Sequence, residues 1–292
     1  MTLTIFTPAY NRAYRLPMLY ESLRKQTNKD FEWLVIDDGS KDNTEELFQE
    51  WQHEATFPVR YIKQPNGGKH RAINHGVKEA LGDLFFIVDS DDELPINAVE
   101  VILSHYEKIK GRKEFGGVCG RRGRSDNSVI GSTDTYTTLE CTNFDIREKY
   151  HVKGDLSEVF LTSVLREFQF PEIEGERFCP EVLVWNRIST KYIIRYFNEV
   201  TYLCEYLPDG LTASIVKVRM QSPVASCMTY QEMTKLPLPF KRKLRAAINY
   251  WRFYGYIKPE HLAITPKLSP LWRIVQPIGM LMAWNDRRHI SL

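Results

Sequence analysis

The run LFFIVDSDD, residues 84–92, sets the reading of the whole chain. Its first five residues are apolar, with the aromatic and β-branched content of a buried strand, and it then breaks into three carboxylates within four residues, Asp89, Asp91 and Asp92. Four further runs of this kind flank it: TLTIF (2–6), WLVID (33–37), VRYIK (59–63) and GGVCG (116–120). Between them apolar residues recur three or four apart, as in Leu16, Leu19 and Leu23, or Ile73, Val77 and Ala80, which is the period of a helix with one buried face. Strands that alternate with helices of this length predict an α/β fold, a mostly parallel sheet with helices on both faces. In such sheets ligands sit beyond the carboxyl ends of the strands.

That rule directs attention to Thr7–Arg12, Asp37–Ser40, Pro65–Lys69 and Asp89–Asp92, which follow the first four strands. Crowded carboxylates repel one another, and a divalent cation relieves the repulsion. Carboxylate oxygens suit Mn²⁺ or Mg²⁺, ions that usually keep waters and share substrate phosphate. Taken alone, the acidic run reads equally well as a solvated turn before a helix that begins near Asn97. Asp37-Asp38-Gly39-Ser40 offers a carboxylate to a base N–H or a ribose hydroxyl, or forms a plain Asx turn. Asn66-Gly67-Gly68-Lys69 offers backbone N–H groups and a cation to a phosphate, or is a turn with an exposed lysine. Tyr10 can stack on a planar base.

The chain has 292 residues, 43% hydrophobic and 26% charged, enough for a large core. Five cysteines, none closer than 20 residues to the next, fit neither a disulfide framework nor a zinc site and predict a reducing, cytosolic setting. Met1 runs straight into a strand, with no leader pattern, and no apolar run reaches the ~20 residues of a membrane span. The net charge of +2 hides an asymmetry: from Lys235 to the end there are eleven Lys and Arg against Glu260 and Asp286, a net of +9, which leaves −7 on residues 1–234.

The motifs PAYNR (8–12), VIDDGSKDNT (35–44), NGGKHRAIN (66–74) and FIVDSDD (86–92), in this order and spacing, resemble the nucleotide-sugar-binding half of family 2 glycosyltransferases. The resemblance is sharp to about residue 120, weaker to about 210 and absent beyond. It implies the GT-A fold and inverting transfer from a nucleotide-diphosphate sugar, usually a UDP-sugar. It further implies that Pro8, Ala9 and Tyr10 frame the base beside Asn11, that Asp38 accepts from the base, and that Lys69 lies near the nucleoside or phosphate. Asp89, with Ser90 beside it, would approach the ribose, while Asp91, with Asp92, would bind the metal. A base on the acceptor side is implied as well, commonly an acidic residue starting a helix in the second half. Glu181, in GERFCPEVLVWNRI (175–188), holds that place, with proline where the family often has glutamate. A carboxylate in a helix's first turn feels the positive dipole end, which favours the ionised form a base needs. Glu176 competes for the role.

The resulting division is a nucleotide-sugar-binding half (1–120), an acceptor-binding half (121–234) and a basic C-terminal extension (235–292). In the second part, residues 192–197 and 200–206 read as two strands about an Asn198-Glu199 turn, and Pro180–Ser189 as a helix. In the third, Phe240, Leu244, Ala247, Ile248, Trp251 and Tyr254 share a helical face while Lys241, Arg242, Lys243, Arg245 and Arg252 crowd the rest. This is the pattern of a helix in an anionic membrane interface, or of one packed on the domain with its basic face in solvent. Ile274–Trp284 is a second apolar run, bounded by Arg273 and by Arg287 and Arg288 and too short to span. These features predict peripheral attachment through 235–292 at the cytoplasmic face and a lipid-linked or surface-polysaccharide glycan as acceptor.

A nucleotidyltransferase or a Rossmann oxidoreductase, which would also use an α/β sheet, is opposed by the first strand and its loop, TIFTPAYNR, which hold neither GxGxxG nor GxxxxGK[ST]. Nucleic acid is not expected on the basic tail, given its Trp and Ile content and the acidic remainder. The alternative from another class is a catalytically silent nucleotide-binding module held at a membrane.

Overall fold

The computed structural model describes residues 1–126, 128–132, 136–204 and 214–290. They contain one eight-stranded sheet, of order β3-β2-β1-β4-β7-β5-β8-β6. The five strands expected from the sequence are β1 (Leu3–Ala9), β2 (Phe31–Asp37), β3 (Val59–Lys63), β4 (Leu84–Ile87) and β5 (Phe115–Gly123). To these are added β6 (Thr138–Cys141), β7 (Leu156–Leu161) and β8 (Ile193–Leu203). The first four are parallel to one another and β5 is parallel to β8, while β7 runs antiparallel between β4 and β5 and β6 antiparallel to β8, so four of the seven ladders are parallel.

β1 and β2 are buried almost throughout, the signature of parallel strands covered on both faces. Over β2 lie α1 (Leu16–Arg24) and α2 (Thr44–Glu54), whose Tyr20 and Trp51 stack at 4.4 Å, with Trp33 of β2 at 5.6 Å from Trp51. Helix α3 (Lys69–Glu79) approaches so closely that a Cβ on Gly76 would lie 2.2 Å from the Phe6 ring. Because β1 and β4 are adjacent while β2 and β3 run off to the other side, the loops after β1 and β4 meet at the crossover point of the sheet.

The hairpin expected over 192–206 is instead one strand, Ile193–Leu203, with residues 205 and 206 outside the described residues. Tyr196 of β8 pairs with Cys119 and Val200 with Arg121, so four residues on β8 are set against two on β5. Asn198 and Glu199 bulge to solvent there, and the strand resumes in the same direction.

The chain divides into two compact units, which do not follow the boundaries at 120 and 234. The first, residues 1–169 and 188–205, holds the sheet, because β7 and β8 complete it. The second, residues 170–187 and 206–292, contains most of α7 (Glu181–Ser189) together with α8 (Ile215–Gln221), α9 (Pro223–Met233), α10 (Phe240–Tyr254) and α11 (Gln276–His289). Its core gathers Cys227, Ala247, Tyr250, Trp251, Phe253 and Trp272. Of the apolar face expected on α10, Ala247 and Trp251 are buried and Leu244, Ile248 and Tyr254 pack against this core, while Phe240 is 70% exposed, so most of that face follows the packed alternative. Trp251 Nε1 donates to the Trp272 carbonyl at 2.9 Å, and Arg252 grips Asp286 of α11 at 2.5 and 2.7 Å. No helix among the described residues is long and apolar enough to cross a membrane. All five cysteines are free thiols, and Cys204 alone is not fully buried.

Candidate active site

The loops after β1 and β2 are stitched together. Asn11 takes a left-handed backbone (φ 53°), its N–H donates to Ser40 Oγ at 2.8 Å, and its side-chain oxygen accepts the Lys41 N–H at 2.8 Å. Beside it Ala9 is buried, Pro8 half-buried and Tyr10 48% exposed, an aromatic face left open at a strand end. The two aspartates that close β2 face different partners. Asp37 is buried and accepts from the Ser40 N–H at 2.8 Å and the Tyr61 hydroxyl at 2.5 Å. Asp38 reaches the next loop: one oxygen accepts from the Gly67 N–H and Gln64 Nε2, both at 2.8 Å, and the other from the Gly68 N–H at 2.7 Å. Gly68 (φ 96°) can turn that N–H inward because it has no Cβ.

The loop after β4 carries the acidic run. Lys69, at the start of α3, pairs with Asp89 at 2.7 Å. Burial would raise the Asp89 carboxyl, but the Lys69 ammonium, together with Arg122 and Arg12, outweighs it and holds the group below its ordinary range. Asp92 is turned inward, 8% exposed, and burial together with the Asp89 charge pushes it up to about 7. Ser90 is buried and Asp91 half-buried. Two residues the sequence reading did not single out organise this corner. The buried Tyr202 hydroxyl, on β8, accepts the Asp89 N–H at 3.0 Å and donates to the Asp92 carboxylate at 2.6 Å. The Arg122 guanidinium lies 4.2 Å from the centre of the Tyr202 ring, donates to the Leu156 carbonyl at 2.9 Å, and acts on Asp89 and Asp92 through its charge. Its one sequence signal is the Arg121-Arg122 pair inside a strand closed by glycine. The turn is fastened to the end of β8 by paired backbone hydrogen bonds between Glu93 and Leu203, at 2.8 and 3.0 Å.

The structure thus brings together Pro8, Ala9, Tyr10, Asn11, Asp38, Lys69, Asp89, Ser90, Asp91 and Asp92 along the carboxyl edge of β1, β2 and β4, all in the first compact unit. Glu181 opens α7, half-buried, and belongs to the second unit. Its competitor Glu176 is buried, and its two oxygens accept the Val224 and Ala225 N–H groups at 2.6 and 2.9 Å. Glu176 caps the first turn of α9. No group of three or more His, Cys, Asp or Glu side chains able to hold a metal occurs among the described residues. A Mn²⁺ or Mg²⁺ site here would rest on one half-buried carboxylate, Asp91, completed by phosphate and water, because Lys69 and Arg122 already counter the charge of Asp89 and Asp92 is held by Tyr202.

Residues 4–153, just over half of the chain, match the model of glycosyl transferase family 2. The chain belongs to glycosyltransferase family 2. It is 40% identical over 106 residues to a chondroitin synthase of Escherichia coli, covering 36% of this chain and 15% of that protein. It is 32% identical over 133 residues to a dolichyl-phosphate beta-glucosyltransferase of Dictyostelium discoideum, covering 41% and 39%. This family 2 chain therefore spans well under half the length of either relative. Its fold is similar to that of Staphylococcus aureus TarS residues 1–349 in complex with UDP-GlcNAc, at a TM-score of 0.63 and 16% identity over 99% of this chain and 92% of that one. It is also similar to the mannosyltransferase PcManGT of Pyrobaculum calidifontis, in complex with GDP-Man and Mn²⁺, at a TM-score of 0.58 and 15% identity over 98% and 86%. Both likenesses establish the GT-A fold, as the motifs of the first 120 residues imply.

Proposed function

We propose that this family 2 member transfers a sugar, with inversion, from a nucleotide-diphosphate donor to an acceptor hydroxyl. The observation that carries the reading is the corner in which Lys69 holds Asp89, Tyr202 holds Asp92 inward, and Asp91 stands between them at the crossover edge of a GT-A sheet. Such a corner meets the needs of a ribose and a pyrophosphate: anchored acceptors for hydroxyls and one oxygen ligand for a hard cation. Tyr10, beside Pro8 and Ala9, supplies an open ring for the base, and UDP is the favoured nucleotide because the TarS complexes hold UDP and UDP-GlcNAc.

Asp91 is the residue that would hold Mn²⁺ or Mg²⁺, and Asp92, committed to Tyr202, would act behind it. The ion, when bound, neutralises charge on the departing diphosphate. Lys69 keeps Asp89 ionised and therefore an acceptor for donor hydroxyls. Glu181, in the first turn of α7, takes the acceptor proton, a role its helix position favours and one that Glu176, spent on α9, is poorly placed to fill. The acceptor is a lipid-linked or surface glycan met at the cytoplasmic face of a membrane through residues 235–292.

A panel of UDP- and GDP-sugars, followed by nucleotide release with and without Mn²⁺, tests the reading. Release of UDP from one donor, dependent on the ion and on Asp91, is the expected result. Tight nucleotide binding with no turnover on any donor would favour the silent binding module.

A further inference from the structure

Helix α11 is packed inside out. It turns Gly279, Ala283 and Asp286 toward α10, and a Cβ on Gly279 would come within 2.5 Å of Trp251 Cβ and 2.6 Å of the Ile248 carbonyl. Asp286 is taken up by Arg252, and the Tyr256 hydroxyl donates to the Ala283 carbonyl at 2.7 Å. The large apolar side chains point the other way. Leu271 and Ile274, in the 3-10 turn Pro270–Val275, are 75% and 81% exposed, and Ile278, Leu281 and Trp284 continue the line along α11 at spacings of three and four. A helix in contact with water does the opposite, burying its large apolar residues and exposing its small and charged ones.

We propose that this stripe, Leu271–Ile274–Ile278–Leu281–Trp284, is the surface through which the enzyme lies on an anionic lipid bilayer. The assignment deepens the reading above, in which residues 235–292 meet a membrane, and it replaces the face of α10 with that of α11. Charge selects the occupant. Arg273 and Arg288 border the stripe, exposed, while Arg287 is turned to the end of α10, where it donates to the Gly255 carbonyl; the Arg288 guanidinium lies 3.6 Å over the Trp284 ring, an aromatic and a cation side by side as lipid headgroups favour. Residues 235–292 as a whole carry a net +9, and Asp286 is already paired. A second copy laid on this stripe would set these arginines against their own kind, whereas anionic headgroups would neutralise them. The apolar residues would enter the boundary between headgroups and acyl chains, and the helix would lie flat, since fourteen residues do not span a bilayer.

The experiment is co-sedimentation of the full chain with phosphatidylcholine vesicles with and without phosphatidylglycerol. The wild type should bind the anionic vesicles and bind neutral ones weakly. Ile274→Ser with Leu281→Ser, both exposed, should weaken binding more than about tenfold with an unchanged thermal transition. Arg273→Glu with Arg288→Glu should remove the preference for phosphatidylglycerol. Absence of binding to anionic vesicles, equal binding by the serine variant, or a wild-type dimer that the serine variant turns into a monomer would each overturn the proposal. Donor turnover measured on the same preparations separates the two readings. Vesicle binding without sugar transfer removes the transferase reading alone, and transfer to a soluble acceptor without vesicle binding removes this surface alone.

Discussion

The hydroxyl of Tyr202 donates to the carboxylate of Asp92 at 2.6 Å, across 110 residues of chain. The same oxygen accepts the Asp89 N–H, so one phenol from β8 fixes both ends of the acidic turn after β4. Tyr202→Phe keeps the ring beneath Arg122 and removes the hydroxyl. Asp92 then loses a donor in a buried place, and stability should fall by about 1–3 kcal/mol. Nucleotide release should slow as well, because the turn that presents Asp91 loosens. Chemical denaturation and steady-state rates check this, and an unchanged midpoint together with an unchanged rate would remove Tyr202 from the site.

Asp91→Asn keeps the shape of the loop and removes the charge that would hold the cation. Turnover should drop by more than about a hundredfold, in line with the several kcal/mol that a metal contributes at a leaving group. The variant should also lose the thermal stabilisation that Mn²⁺ and UDP give together. Wild-type dependence on the ion retained in Asp91→Asn would direct attention to another ligand.

Glu181→Gln and Glu176→Gln should separate. The first should lower kcat by about 10²–10⁴-fold with donor affinity preserved, as expected for loss of a general base. The second removes a charge from the cap of α9 and should act on the thermal midpoint. If Glu176→Gln abolishes turnover at an unaltered midpoint while Glu181→Gln is active, the roles are reversed.

His105 gives the fold a pH dependence away from the site. Its ring stacks on Phe197 at 4.0 Å, and burial lowers its pKa in spite of Glu199 at 3.4 Å. The unfolded chain therefore takes up the proton first, so stability should decline as pH falls below the ordinary histidine value of about 6.5, toward the lower folded value. His105→Phe should flatten that part of the slope relative to the wild type. A slope that persists unchanged assigns the effect to another group.

The first five strands were legible because each is a short β-rich run, four of them closed by Gly, Asp or Lys, and their alternation with helices is local information. The second half of the sheet was not. Asn198-Glu199 has the composition of a turn, yet its strand neighbours pair with β5 on either side and the pair is extruded as a bulge. Which strand β8 adds to is a long-range matter that no local window records. The same holds at the site: the acidic run was visible, whereas Tyr202 and Arg122, which hold and balance it, lie in strands far along the chain. Asp38 was visible as a candidate for the base, but its grip on Gly67 and Gly68 depends on the fold. The helix α10 was legible from its period, but its buried side includes Ala246, Tyr250 and Phe253 and leaves Phe240 exposed, because what covers it is set by α9 and α11.

The grip of Asp38 on the Gly67–Gly68 backbone bears on how a nucleotide would enter. A glycine-rich segment ordinarily surrenders much conformational freedom when a ligand immobilises it. Here a carboxylate from the neighbouring strand has already immobilised it, so that loss is met when the chain folds and is not charged again to each donor molecule. Preorganisation of this kind favours rapid exchange of donor and product over slow closure around either one.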